Sequence, residues 1–287
     1  MFVKPFGYER AGTLAEASQM LRAYGGGARP IAGGQSLLPM INLGLVDLRA
    51  VVDISRVEEA SRVAEEDGHL RIGALVRHAV LERDPTVRRL QPLLSAAAAS
   101  VGNGRVRAVG TLGGSLAHAD PAAELPLVLT ALDAEYTATD GGSTRTIRAH
   151  ELPVTYFTTQ LDETELLTSI RVPTLGPGWG WGFAEVSRRR GDFAIVAAAV
   201  LARCADGLVV ESRVAVAGLG DRPLRLATVE ASIDGAPADG LDARVREIEG
   251  VEPISDSLAS AAYRRRLARV LIVRALADAC RRSGEAA

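Results

Sequence analysis

The run Pro173–Gly180 (PTLGPGWG) most limits what this chain can fold into, because two prolines and three glycines fall within it. No helix and no central strand continues through such a stretch. It directly follows a strand-like segment, Leu166–Val172, so one folding unit closes near residue 175 and another opens beyond it. A chain of 287 residues has room for both. The expected division is therefore 1–175 and 176–287.

The first unit reads as two lobes, about 1–55 and 56–175. Pro5–Tyr8 is strand-like. A helix follows from Thr13, where Thr13 and Glu16 have capping-box spacing and Leu14, Ala17, Met20 and Leu21 form an apolar stripe. Gly25–Gly27 stops it. Arg29–Ala32 reads as a strand, Ser36 as a helix start and Val51–Ile54 as a further strand, giving a small α/β unit. In the second lobe, Leu70–Ile72 is a strand, Val87–Val101 one buried helix, and Pro121 the start of a helix running to about Leu132. Glu135–Thr139, Thr144–Arg148 and Leu166–Val172 are further strands.

Beyond the break, Trp181–Val186, Ile195–Arg203 and Leu208–Leu219 suggest an antiparallel meander. Ser260–Arg282 is a helix whose apolar rhythm is Tyr263, Leu267, Val270, Leu271 and Ala275, with an arginine-rich face read as solvated. The fold class is α+β.

Composition removes several functions. Lys4 is the one lysine among 33 basic residues, so a Walker-type phosphate loop is absent. The formal charge of -2 argues against bulk electrostatic binding of nucleic acid or an anionic membrane. Cys204 and Cys280 are the two cysteines, too few for an iron–sulfur cluster or a four-Cys zinc site within this chain. His69, His78, His118 and His150 show no zinc spacing. The longest apolar run, Ala194–Ala202, is too short to cross a bilayer, and MFVKPFGYER has no signal-peptide core. These features fit a cytoplasmic protein.

Two glycine motifs remain. Ala32-Gly33-Gly34-Gln35-Ser36 lies between a strand and a helix start, and Thr111-Leu112-Gly113-Gly114-Ser115 precedes a helix. Paired glycines can gather backbone N–H groups into one concavity and leave no Cβ in a ligand's way. Two such nests facing each other would suit a pyrophosphate. Each alone also reads as an ordinary turn, and neither follows the GxGxxG pattern.

The text around these motifs is more specific. AGGQSLLPMINLGL, VRAVGTLGGSLAHADPAAELP, ELLTSIRVP and SRRRGDFAIVAAAV, in that order, resemble the FAD-binding (medium) subunit of molybdenum hydroxylases, the carbon monoxide dehydrogenase and xanthine dehydrogenase family. The resemblance covers nearly the whole chain. It implies a two-lobed FAD-binding domain of the vanillyl-alcohol-oxidase (PCMH) type, then a smaller C-terminal domain of antiparallel sheet plus helices.

It also implies site residues. Pro30, Ile31, Ala32, Gly33, Gly34, Gln35, Ser36 and Leu37 would wrap the FAD pyrophosphate from one side, and Thr111, Gly113, Gly114 and Ser115 from the other. Glu124 would hydrogen-bond ribityl or nearby hydroxyls, standing where aspartate is usual in xanthine-type members. Leu167 and Phe193 would pack on the flavin ring. Phe193 has no hydroxyl to donate, and Ala184 stands where some relatives carry lysine. His118 and Asp120 read as scaffolding, because flavin electron transfer needs no such base. Trp179 and Trp181 read as domain-junction packing.

As partners, the resemblance implies a large subunit with molybdenum cofactor and a small subunit with two [2Fe–2S] clusters, assembled as a dimer of heterotrimers. This chain would pass electrons from those clusters through FAD to an external acceptor. A self-sufficient FAD-dependent oxidoreductase and a non-catalytic nucleotide-binding protein are the competing readings.

Overall fold

The computed structural model describes residues 4–245, 248 and 250–285. The strand–helix–strand–helix–strand opening forms as read, and its strands make a parallel sheet. Ala50–Asp53 is central, flanked by Gly7–Arg10 and Ala28–Ile31. Thr13 caps the Leu14–Tyr24 helix by accepting from Glu16 N, while the Glu16 carboxylate accepts from Gly12 N. Gly25, at φ +50, ends that helix in a left-handed cap.

The second lobe is a five-stranded antiparallel sheet in the order Val63–Glu66, His69–Gly73, Leu166–Pro173, Glu135–Thr139 and Thr144–Arg148. Its helices depart from the sequence reading in several places. The single helix expected over Val87–Val101 is two, Pro85–Leu90 and Pro92–Ser100. Pro92 has no N–H to continue the first helix, so it opens the second at its N1 position. The helix expected from Pro121 starts at Glu124, because Asp120 Oδ1 accepts from Ala122 N and holds Pro121 in a turn. The second glycine motif is not a turn: Gly113 and Gly114 lie in the helix Leu112–His118.

The third sheet is antiparallel: Trp179–Val186, Val196–Ala205, Leu208–Ala217 and the short Leu224–Arg225. Its second strand accounts for the long apolar run. Ala197, Ala199 and Leu201 face the core shared with the five-stranded sheet, while Val196, Ala198, Val200 and Ala202 face the core under the Ala261–Glu285 helix. A strand covered on both faces needs no polar alternation.

The C-terminal helix buries Leu271 and Ala275 of the expected stripe, but the rest of its buried face is shifted. Ala268, Leu271, Ile272, Ala275, Leu276 and Ala279 are inside, while Tyr263 and Val270 are exposed. Arg264 is also inside, 3% exposed, and its guanidinium donates to the carbonyls of Ile195 and Gly218 and to Asp256. The sequence reads that arginine as part of a solvated face; instead it bridges the helix to the third sheet. Trp179 and Trp181 pack against the main core, beneath the guanidinium groups of Arg213 and Arg282 at 5.2 and 3.8 Å.

Candidate functional site

The two glycine segments meet at one point. A Cβ on Gly33 would lie 2.2 Å from the Val109 carbonyl oxygen, so only glycine lets the first loop touch the chain leading into the second motif. Gly34 turns the loop at φ +67, a conformation that costs glycine little. Ser36 precedes the Leu37–Asn42 helix, and its hydroxyl makes no capping bond.

The motifs differ in what they offer a ligand. Among the described residues, no backbone N–H from Gly33 to Leu37 donates to another protein group. In the second segment the N–H groups of Leu112–Ser115 are all committed. Leu112 donates to Val76 O, Gly113 to Ala74 O, Gly114 to Thr111 Oγ1 at 3.3 Å, and Ser115 to Thr111 O. The expectation of two facing nests is therefore corrected. One open nest, residues 33–37, faces a capped helix whose contribution is its exposed surface and the Ser115 hydroxyl.

These segments wall a cavity of about 670 Å³, and all the site residues named from the resemblance line it: Pro30–Leu37, Thr111, Gly113, Gly114, Ser115, Glu124, Leu167 and Phe193. This volume is within the usual range for small-molecule and cofactor sites. Leu167 reaches it from a strand where pairing with Glu135–Thr139 slips between Leu167 and Ser169, a bulge that re-aims side chains. Phe193 enters from the turn joining the first two strands of the third sheet and is 56% exposed, so it is not core.

Several lining residues were missed or set aside in the sequence: Arg29, His78, Val106, Phe157 and Asp162, with His118 and Asp120. His78 carried no motif signal, yet it is buried against Gly110 with neither ring nitrogen hydrogen-bonded. Burial lowers its pKa, outweighing an opposing pull from the Thr111 backbone.

Burial biases the cavity-lining carboxyls of Asp120 and Glu124 towards their neutral forms. Burial pushes Glu124 up to about 7, and the neighbouring Glu185 and Asp120 carboxylates add to this; its own backbone N–H opposes. Burial also raises Asp120 and lowers His118. An anionic ligand therefore meets open N–H groups at one end and carboxyls biased towards neutrality at the other. Apolar surface for a flat ring comes from Leu167, Phe193 and Phe157. These residues fit FAD: N–H donors for its pyrophosphate, hydroxyl and carboxyl groups for its sugar-like chain, and apolar walls for its rings.

Comparison with known proteins agrees. Residues 4–175 match the FAD-binding domain in molybdopterin dehydrogenase, and residues 181–279 match the CO dehydrogenase flavoprotein C-terminal domain. The chain is 38% identical to the 6-hydroxypseudooxynicotine dehydrogenase complex subunit alpha of Paenarthrobacter nicotinovorans, over 97% of this chain and 95% of that protein. It is 34% identical to the glyceraldehyde dehydrogenase medium chain of Sulfolobus acidocaldarius, over 97% and 99%. A chain in the crystal structure of quinoline 2-oxidoreductase from Pseudomonas putida 86 superposes with a TM-score of 0.94 at 32% identity, covering 99% of both chains. Among the described residues no helix is long and apolar enough to cross a membrane. By sequence, fold and both domain matches, the chain belongs to the FAD-binding medium subunits of the molybdenum hydroxylases, the oxidoreductase family of carbon monoxide dehydrogenase and xanthine dehydrogenase.

Proposed function

We propose that this chain is the electron-exit subunit of its complex, taking electrons from [2Fe–2S] clusters on a small subunit and delivering them to an external acceptor. Substrate oxidation belongs to a large subunit with molybdenum cofactor, and the assembly is a dimer of heterotrimers in the cytoplasm. The division into 1–175 and 176–287 gives the FAD-binding part and the part that adds Phe193 to it. Bound FAD supplies the redox chemistry, since it exchanges electrons singly or in pairs.

The protein's own residues bind and orient. The Gly33–Leu37 loop receives the pyrophosphate on its open N–H groups, opposite Ser115. Glu124 presents a carboxyl to the ribityl region, while Leu167 and Phe193 hold the ring system. No member of this set is a catalytic base. The observation that carries the reading is the single cavity joining an open N–H loop to an apolar end. The two-cysteine count supports placing the clusters on a partner.

The test is purification of the tagged chain from its native host, assayed for FAD, iron and molybdenum. About one FAD per chain with stoichiometric iron and molybdenum is expected. FAD without either metal at every stage would overturn the relay in favour of a self-sufficient flavoenzyme.

A further inference from the structure

A strained clasp closes one wall of the cavity. Phe157, at the tip of the hairpin Pro153–Thr155 and Thr158–Thr159, has φ +52, and Ala119, just after the Leu112–His118 helix, has φ +50. A side chain that far into the left-handed region costs energy, most of all a bulky one. The two residues hold each other: Phe157 N donates to Ala119 O at 3.1 Å. The Phe157 ring meets the His118 imidazole with centroids 5.1 Å apart and planes at 40°.

Core packing does not account for this strain, because Phe157 is 54% exposed. A glycine or asparagine would take the same turn at less cost. What the phenylalanine adds is a ring on the cavity wall, beside His118, Asp120, Thr158 and Thr159.

We infer that Phe157 is a further FAD-contacting residue, its exposed ring presented to the cofactor with His118 behind it. This rests on the FAD reading above. The strain is kept because it aims the ring.

The test uses the full-length apo chain titrated with FAD, comparing Phe157→Gly and Phe157→Tyr with wild type. Phe157→Gly raises the thermal midpoint of the apo chain by relieving the turn and weakens FAD binding about tenfold. Phe157→Tyr keeps the affinity. Wild-type-like affinity in Phe157→Gly would overturn the inference while leaving the FAD reading intact. A wild-type chain that takes up no FAD would overturn the FAD reading itself.

Discussion

The Val109 carbonyl oxygen lies 2.2 Å from the place a Cβ on Gly33 would occupy, so the two halves of the glycine site touch backbone to backbone. Gly33→Ala must push the 33–37 loop away from the segment entering the Leu112–His118 helix. The nest then no longer faces Ser115. FAD affinity should fall at least about tenfold, with far-ultraviolet circular dichroism unchanged, as read by titrating the apo variant with FAD. Wild-type affinity would show that this contact sets no part of the site.

Glu124 makes the apo chain sensitive to pH. Its folded-state pKa is pushed up to about 7 from an ordinary 4.5, so the folded chain keeps a proton that the unfolded chain releases. The associated stability is complete below about pH 4.5 and is lost as pH rises through 7. The loss is on the order of 3 kcal/mol. Glu124→Gln should flatten much of this slope, with residual dependence of the same sign from Asp120 and Glu185, whose pKa values burial also raises. Urea midpoints at about pH 5 and pH 8 measure it, and an equally steep slope in the variant would exclude Glu124 as the source.

Phe193 is more than half exposed, so the fold gains little from it. Phe193→Ala should change apo stability by no more than about 0.5 kcal/mol. Bound flavin should become about twofold more accessible to a soluble quencher such as iodide, because one apolar cover is gone. A large stability loss without any accessibility change would return Phe193 to a packing role.

Arg264 is a buried cation with three protein acceptors. Arg264→Ala leaves two carbonyls without their donor and Asp256 with only the Leu258 and Ala259 N–H groups. It should cost about 3–5 kcal/mol in a denaturant titration. The effect should centre on the C-terminal half, and a loss below about 1 kcal/mol would show the network to be solvated.

Much of this was legible in residues whose chemistry is local. Thr13 with Glu16, the breakers at Pro173–Gly180, and the glycine motifs announce themselves without a structure. What stayed hidden depends on through-space neighbours. Pro92 splitting a helix is local, but it was masked by the alanine-rich run around it. That the Gly113–Ser115 N–H groups are committed depends on Ala74 and Thr111, one of them nearly forty residues distant. Phe157 carried no signal, since nothing in the sequence reveals that its backbone is left-handed or that Ala119 faces it. Arg264 looked like its exposed neighbours because the helix period alone does not tell a buried arginine from a solvated one.

The strand Val196–Ala205, sealed on one side by the five-stranded sheet's core and on the other by the C-terminal helix, ties the melting of the two halves together. Severing the chain in the Pro173–Gly180 run would bare Ala197, Ala199 and Leu201 to water, leaving the C-terminal fragment adhesive rather than independent. The intact chain should accordingly unfold in one calorimetric transition, although its sequence matches two separate families of domain.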